Sequence, residues 1–468
     1  MSVNRRDFLR KAASISAAAF ATTLSEASPP VQPVDAMLPN PDSSGIEHVV
    51  VVMQENRSFD HLLGWMPNAN GRQAGLRYPD HNGTLQPTQH LTSYTGCPHP
   101  DPDHTYAGGR SEYNNGNMNG WLRTSTNDIY SIGYYEEADL PLFATLARNF
   151  TTLSNYFASI LSCTYPNRVF QHAAQTDRLD NSNHISKLPT IWDRMLAANV
   201  SCRYYYNNAP FLALWGSKYT HLSRLYSQFG ENVAHGDLPA VSFIDPLFST
   251  GNGRGNDDHP HADMRMGEIF LREIVTTLAN SSMWANTVLV INRDEWGGFF
   301  EHVVPPRVIA PNSVDKDLVD GKALLGCRLP TLVLSPFARG NPAKPRINSL
   351  LYDHTSVLKL IEWRWGLDPL TARDASDEVA NLALALDFTQ PDASVPKLPI
   401  IAQPALGPCD YKKSDGVDTA TGQPAGDDSG ADEEWQAADA DGTDEEVNDF
   451  ALLLKSDLME GWPQPEAF

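Results

Sequence analysis

The chain has 468 residues, 41% of them hydrophobic, and a net charge of −22. That length and apolar content suffice for a sizeable core, which excludes a wholly disordered chain. Fourteen acidic residues lie between Asp410 and Asp449 against only Lys412 and Lys413, and the sequence has no basic stripe of the kind that binds nucleic acid, so DNA and RNA are excluded as partners.

At the amino terminus, Arg5-Arg6-Asp7-Phe8-Leu9 precedes an Ala-rich apolar stretch from Ala12 to Leu24 and small residues near Ala27. That order reads as a twin-arginine export signal over residues 1–27, too short to span a bilayer comfortably. No later run approaches about 18 apolar residues, so the expected mature protein is periplasmic or secreted, with no transmembrane segment and at most peripheral membrane contact. Residues 28–44, rich in Pro and Ser, read as a linker.

His48–Gln54 is an apolar run that reads as a buried strand. At its exit stand Glu55-Asn56-Arg57-Ser58-Phe59-Asp60-His61, where open α/β sheets bind their ligands. Residues 68–132, crowded with Gly, Asn, Pro, His and Tyr, read as functional loop more than spacer. Apolar runs at Phe150–Ala158, Cys202–Tyr206, Ala240–Ile244, Thr287–Asn292 and Leu329–Leu334 read as strands, several without alternation and so covered on both faces.

Helical patterns fall at Leu188–Ala198, Met264–Ala279 and His354–Trp365, with another helix beginning near Val169. The alternation predicts an α/β sandwich around a mostly parallel sheet, spanning residues 45–390. Residues 391–446 read as a Pro-rich, then acidic, disordered tail. Residues 447–468 carry a short amphipathic helix that places Phe450, Leu453, Leu454 and Leu458 together, with docking on the core the expected outcome. The five cysteines, Cys97, Cys163, Cys202, Cys327 and Cys409, contain no CxxC pair. This spacing argues against a zinc ribbon and against a disulfide framework, while leaving room for one or two bridges.

Asp294-Glu295-Trp296-Gly297-Gly298 follows the strand ending at Asn292. Adjacent carboxylates before two glycines suit a hard divalent cation, and without one their repulsion is costly. A surface turn with solvated acids is the plainer alternative. Ser162-Cys163-Thr164 precedes a helix, where hydroxyls serve as N-caps or, beside a metal and Arg168, as a nucleophile. Cys163 is a second nucleophile candidate, or simply a small buried residue. His104, His259, His302 and His354 each have a carboxylate beside them, which suits a general acid or a phosphate ligand, although any one of them alone also fits a structural role.

In order, Gln54 to His61, Thr164-Tyr165-Pro166-Asn167-Arg168, Asp258-His259-Pro260, Asp294 to Pro306 and Asp353 to Leu358 resemble the motifs of the bacterial phospholipase C and acid phosphatase phosphoesterase family. The likeness runs from about Ile46 to Phe388. It implies an alkaline-phosphatase-like, three-layer α/β/α fold and metal-dependent hydrolysis of phosphoesters.

Residue by residue, the resemblance implies a metal site of Glu55, Asn56, Thr164, Asp294 and Glu295. It further implies Thr164 as a nucleophile that becomes phosphothreonine, His259 as general acid, and Asn56, His104 and Asn119 as contacts to the substrate phosphate. His302 and His354 would support these groups from behind. Oxygen ligands favour Mg²⁺, Ca²⁺ or Mn²⁺, and the superfamily tolerates Zn²⁺. The implied substrate is a phospholipid headgroup diester, or a small monoester for a broad acid phosphatase. An inactive exported binding protein of the same fold is the reading from another class. Asn119 stands where many relatives carry Asp, Glu301 where Asp is commoner, and Arg293 precedes the acidic pair. A choline headgroup calls for aromatic walls, for which Tyr106, Trp121, Tyr134, Tyr135 and Trp296 are available.

Overall fold

The computed structural model describes residues 38–249, 254–407 and 449–464. The expected export signal, most of the linker and most of the acidic tail lie outside the described residues. Eight strands form one sheet: β1 (His48–Gln54), β2 (Thr151–Leu153), β3 (Cys202–Tyr206), β4 (Ser223–Leu225), β5 (Val241–Ile244), β6 (Thr287–Arg293), β7 (Thr331–Leu334) and β8 (Arg346–Asn348). Their spatial order is β8-β2-β7-β6-β1-β5-β3-β4. β1 runs parallel to β6 on one side and β5 on the other. β7 is antiparallel to both of its neighbours, and the remaining pairs are parallel.

Helices α1 (Phe59–Leu63), α2 (Tyr106–Tyr113), α3 (Pro141–Asn149), α4 (Thr164–Ala173), α5 (Ile191–Ala197), α6 (Met264–Ala279), α7 (His354–Trp365) and α8 (Asp449–Leu454) pack around the sheet or its loops. Successive residues of a strand point to opposite faces. Val49, Val51, Val288 and Val290 accordingly meet Val169 of α4, Trp192 of α5 and Ile361 of α7. Val50, Val52, Leu289 and Ile291 meet Leu62 of α1, Leu146 of α3 and Ile274 of α6. With helices on both faces, the unbroken Val49-Val50-Val51-Val52 run is what a doubly covered parallel strand requires. The result is the three-layer α/β/α sandwich expected from the sequence.

Several elements depart from expectation. β2 has three residues in place of the run Phe150–Ala158, because after Leu153 the chain leaves the ladder and makes only isolated bridges, Tyr156 to Tyr352 and Phe157 to Arg328. The edge strands β4 and β8 have no apolar run to announce them. α4 begins at Thr164, ahead of Val169, with Pro166 in its first turn, where a missing N–H costs no helical hydrogen bond.

The Pro-rich stretch up to Gly407 is docked, unlike the disordered tail that its composition suggests. Trp284 Nε1 donates to the Ala393 carbonyl and Arg272 Nε to that of Pro399, each at 2.9 Å, while Val395, Leu398 and Ile401 pack on the core. Cys97 is disulfide-bonded, and Cys163, Cys202 and Cys327 are free thiols. Among the described residues no helix is long and apolar enough to cross a membrane.

Candidate active site

β1 and β6 run in register, with Gln54 beside Arg293. Both chains therefore leave the sheet at the same edge, which brings Glu55-Asn56 against Asp294-Glu295. Asn56 N donates to Asp294 Oδ1 at 3.1 Å and Arg57 N to the Glu295 carbonyl at 3.0 Å. Asn56 has φ 56°, in the left-handed region that Asn tolerates better than most residues. Gly297, φ 62°, closes the opposite turn so tightly that a Cβ would sit 2.2 Å from the Asn56 carbonyl oxygen. Only glycine fits there.

α4 supplies the third side. Arg168, one turn after Thr164, donates through Nε to Asp294 Oδ2 at 2.9 Å and through Nη1 to Asp245 Oδ1 at 3.2 Å, and its Nη2 lies 3.6 Å from Glu55 Oε1. All four side chains are buried, so one guanidinium faces three carboxylates. Burial pushes the Asp245 pKa up to about 6, against the pull of Arg168. Thr164 is buried at the first turn of the same helix, the end whose free N–H groups favour an anion. Cys163 holds the N-cap position, buried, with its sulfur near the Leu179 carbonyl.

Two oxygens in this cluster, Asn56 Oδ1 and Glu295 Oε1, are buried without a hydrogen-bond partner among the described residues. A polar atom left this way costs about 1–3 kcal/mol. Both are oxygens of the kind a hard divalent cation takes, beside an Asp294 carboxylate that already accepts from Asn56 N, Glu295 N and Arg168 Nε. The acidic and histidine ligand atoms that come within 4.8 Å of one another among the described residues are those of Asp60, Glu301 and His302. Burial first, and then the charge of Asp294, pushes the Glu295 pKa up to about 8, with His104 opposing.

On the far side of Asn56, Nδ2 lies 3.4 Å from His104 Nε2, and His104 Nδ1 lies 2.8 Å from the Pro102 carbonyl. A carbonyl can only accept, so Nδ1 carries a proton, and Nε2 is the ring nitrogen that faces the Asn56 amide. His259 Nε2 lies 3.1 Å from Asp101 Oδ2. Burial disfavours the imidazolium, but Asp101, joined by Asp257, outweighs it and the His259 pKa is raised above its ordinary value. Arg57 fixes this loop by donating to the carbonyls of Asp258 at 2.7 Å and His259 at 3.1 Å. Arg293, whose place before the acidic pair looked odd, pairs with Asp258 at 2.6 Å.

The remaining predicted residues sit further out. Asn119 is half-buried and accepts from Asn114 Nδ2 at 2.8 Å; among the described residues it bonds no member of the carboxylate cluster. His354 Nε2 lies 2.9 Å from the Arg293 carbonyl, beneath the end of β6. His302, Asp60 and Glu301 form a separate group whose ligand-type atoms lie within 4.8 Å of one another. There Arg328 Nη2 lies 2.7 Å from Glu301 Oε1 and 3.3 Å from Asp60 Oδ1. Arg72 N and His302 N donate to Asp60, and Val303 N to Glu301. With its carboxylate oxygens already hydrogen-bonded and Arg328 between them, this group braces the segments that follow β1 and β6.

Asp245 and Asp101 escaped the sequence reading. Asp245 had a usable signal, since it directly follows a strand adjacent to β1. Asp101 had none, its partner lying in a distant loop. Of the aromatic residues available for a choline headgroup, Trp121, Trp296 and Tyr135 are buried in the core, and the Arg110 guanidinium lies over the Tyr106 ring at 3.2 Å.

The chain is a hydrolase acting on phosphoester bonds. It matches the model of the phosphoesterase family over residues 46–368 and belongs to that family. It is 31% identical over 373 residues to non-specific phospholipase C6 of Arabidopsis thaliana, covering 71% of each chain. To phospholipase C B of Mycobacterium tuberculosis it is 30% identical over 482 residues, covering 86% of this chain and 89% of that one. Among solved structures there is a distant likeness to a protein in the alkaline phosphatase superfamily from Vibrio parahaemolyticus: 10% identity, TM-score 0.35, over 72% of this chain and 69% of that one.

Proposed function

We propose that the chain is an exported, metal-dependent hydrolase of the phospholipase C type, cleaving phospholipid headgroup diesters through a phosphothreonine at Thr164. The observation that carries the metal reading is the pair of buried, unpartnered oxygens, Asn56 Oδ1 and Glu295 Oε1, beside Asp294. A divalent ion held by Glu55, Asn56, Thr164, Asp294 and Glu295 would supply a lowered pKa for the Thr164 hydroxyl and stabilise charge on the phosphoryl oxygens.

Thr164 Oγ, its proton lost to solvent, then attacks phosphorus opposite the departing alcohol, the P–O bond to that alcohol breaks, and a diester leaves its headgroup phosphate esterified to Thr164. His259, kept protonated by Asp101, gives its proton to that alcohol oxygen and, now neutral, takes one from the water that hydrolyses the phosphothreonine. The Asn56 amide, His104 and Asn119 contact the phosphate oxygens. Arg168 holds Asp294 and Asp245 in place throughout. Export by the twin-arginine signal delivers the enzyme to the periplasm or the medium, where its membrane contact is peripheral.

A second reading, a broad acid phosphatase acting on small monoesters, is favoured by one observation. The aromatic residues that could wall a choline headgroup are in the core or already covered. Hydrolysis of a chromogenic phosphate monoester beside a phosphorylcholine diester, with and without chelator, separates the two. Turnover of the diester supports the phospholipase reading and turnover of the monoester alone the phosphatase. No turnover of either in metal-replete protein would leave only an exported binding protein.

A further inference from the structure

Helix α8 lies beyond the residues matched by the family, 46–368, yet its Phe450 is buried beside the active site. Phe450 stacks on Phe248 with ring centroids 3.5 Å apart and planes within 7°, and meets Tyr165, the neighbour of Thr164, edge-on at 5.6 Å. The Arg168 guanidinium lies 4.7 Å from the Phe248 ring and 5.5 Å from that of Phe450. Further along, Trp462 packs on Tyr206 at the end of β3, and the Tyr206 hydroxyl donates to the Pro463 carbonyl. The segment 449–464 is thus fastened by Phe450, by the fully buried Leu453 and by Trp462, and of its two aromatic anchors Phe450 is the one that lies over Arg168.

We propose that Phe450 is a positioning residue of the active centre: together with Phe248 it covers Arg168 and fixes the guanidinium that holds Asp294 and Asp245. A guanidinium stacked against aromatic rings keeps its N–H edges for hydrogen bonds. Here those edges meet Asp294, Asp245 and Glu55, and with water excluded these contacts are stronger and more directional. Without the Phe450 ring, water reaches Phe248 and Arg168, the guanidinium gains other partners, and Asp294 loses its fixed orientation toward Asn56. The kinetic consequence rests on the proposed roles of Asp294 in holding the metal and of Thr164 in attacking phosphorus; the geometric one does not.

The test uses the full-length protein with Phe450→Ala, Phe450→Leu and Trp462→Ala. On the ester that the wild type turns over, Phe450→Ala lowers kcat about tenfold with KM within about twofold, the pattern of a lost transition-state contact. Phe450→Leu, which keeps the apolar cover, recovers most of the rate, and if the Ala variant does not fold, Phe248→Ala, which removes the other ring over Arg168, is read in its place with the same expected losses. Trp462→Ala lowers Tm but leaves kcat within about twofold of wild type. Independently of turnover, the Arg168 Nε–H resonance, identified by its loss in Arg168→Lys, exchanges with solvent about tenfold faster in Phe450→Ala, because its cover is gone.

Unchanged exchange and unchanged kcat in a folded Phe450→Ala protein would overturn the proposal. So would an equal fall of kcat in Trp462→Ala, since the segment would then act only through stability. A wild type that hydrolyses no phosphoester would overturn the proposed function instead, and the exchange rate alone would decide the role of Phe450.

Discussion

Asp101 Oδ2 and His259 Nε2 meet at 3.1 Å, joining the long loop ahead of α2 to the loop ahead of α6. Burial alone would discharge this imidazole; the carboxylate raises its pKa and keeps it a cation to higher pH. An acid that must be protonated loses activity as pH rises through its pKa. Asp101→Asn removes the support, so the alkaline limb of the kcat profile moves to lower pH, with about a tenfold loss at alkaline pH for each unit moved. A profile that does not move would remove His259 from the role of acid.

A different carboxyl sets a pH dependence of stability. Glu268 Oε1 accepts from Phe143 N at 2.8 Å at the start of α3, while its Oε2 is buried without a hydrogen-bond partner among the described residues. Burial pushes its pKa from the ordinary 4.5 up to about 8. The folded protein therefore holds a proton that the unfolded chain releases. The associated stability is full below pH 4.5 and is lost as pH rises through about 8. Glu268→Gln keeps an acceptor for Phe143 and has no charge to bury. Urea unfolding should find it close to wild type near pH 5 and more stable at pH 9, by on the order of 1 kcal/mol or more. Parallel curves for the two proteins would contradict the assignment.

The brace built on Arg328 makes a separate prediction. Replacing Arg328 by Met leaves the buried Asp60 and Glu301 carboxylates without their counter-charge, which costs about 3–5 kcal/mol. A shift of the denaturation midpoint corresponding to less than about 1 kcal/mol would mean that these acids are compensated in another way.

Metal content distinguishes the two acidic groups. Glu295→Gln should lose the divalent ion that the wild type retains through gel filtration, whereas Asp60→Asn should keep it, because Arg328 already occupies that group. Elemental analysis of the purified variants reads this directly. Retention in Glu295→Gln together with loss in Asp60→Asn would move the metal to the Asp60, Glu301 and His302 group.

How much of this was legible beforehand follows from where each signal resides. β1 and β6 are unbroken apolar runs, and α6 and α7 keep the expected bounds, each preceded by an Asp whose side chain caps the helix. The acidic pairs stood out because they follow such runs. What brings them together is the parallel register of Gln54 beside Arg293, a pairing that neither strand announces alone. The start of α4 was hidden because Thr164, Asn167 and Arg168 are polar residues buried by the site and not by an apolar core. The brace and the Asp101–His259 pair join distant segments through charges that look like ordinary surface residues where they occur in the chain.

In the proposed mechanism phosphorus passes through Thr164. Wild-type enzyme quenched during turnover of a slow ester, digested and analysed by mass spectrometry, should carry one phosphoryl group on the peptide containing Thr164, bare when the ester is a monoester and still esterified to the headgroup when it is a diester. Thr164→Ala should carry none and should lose on the order of 10³ or more in kcat. An Ala variant that turns over at the wild-type rate, or a phosphoryl group found on another residue, would contradict the account.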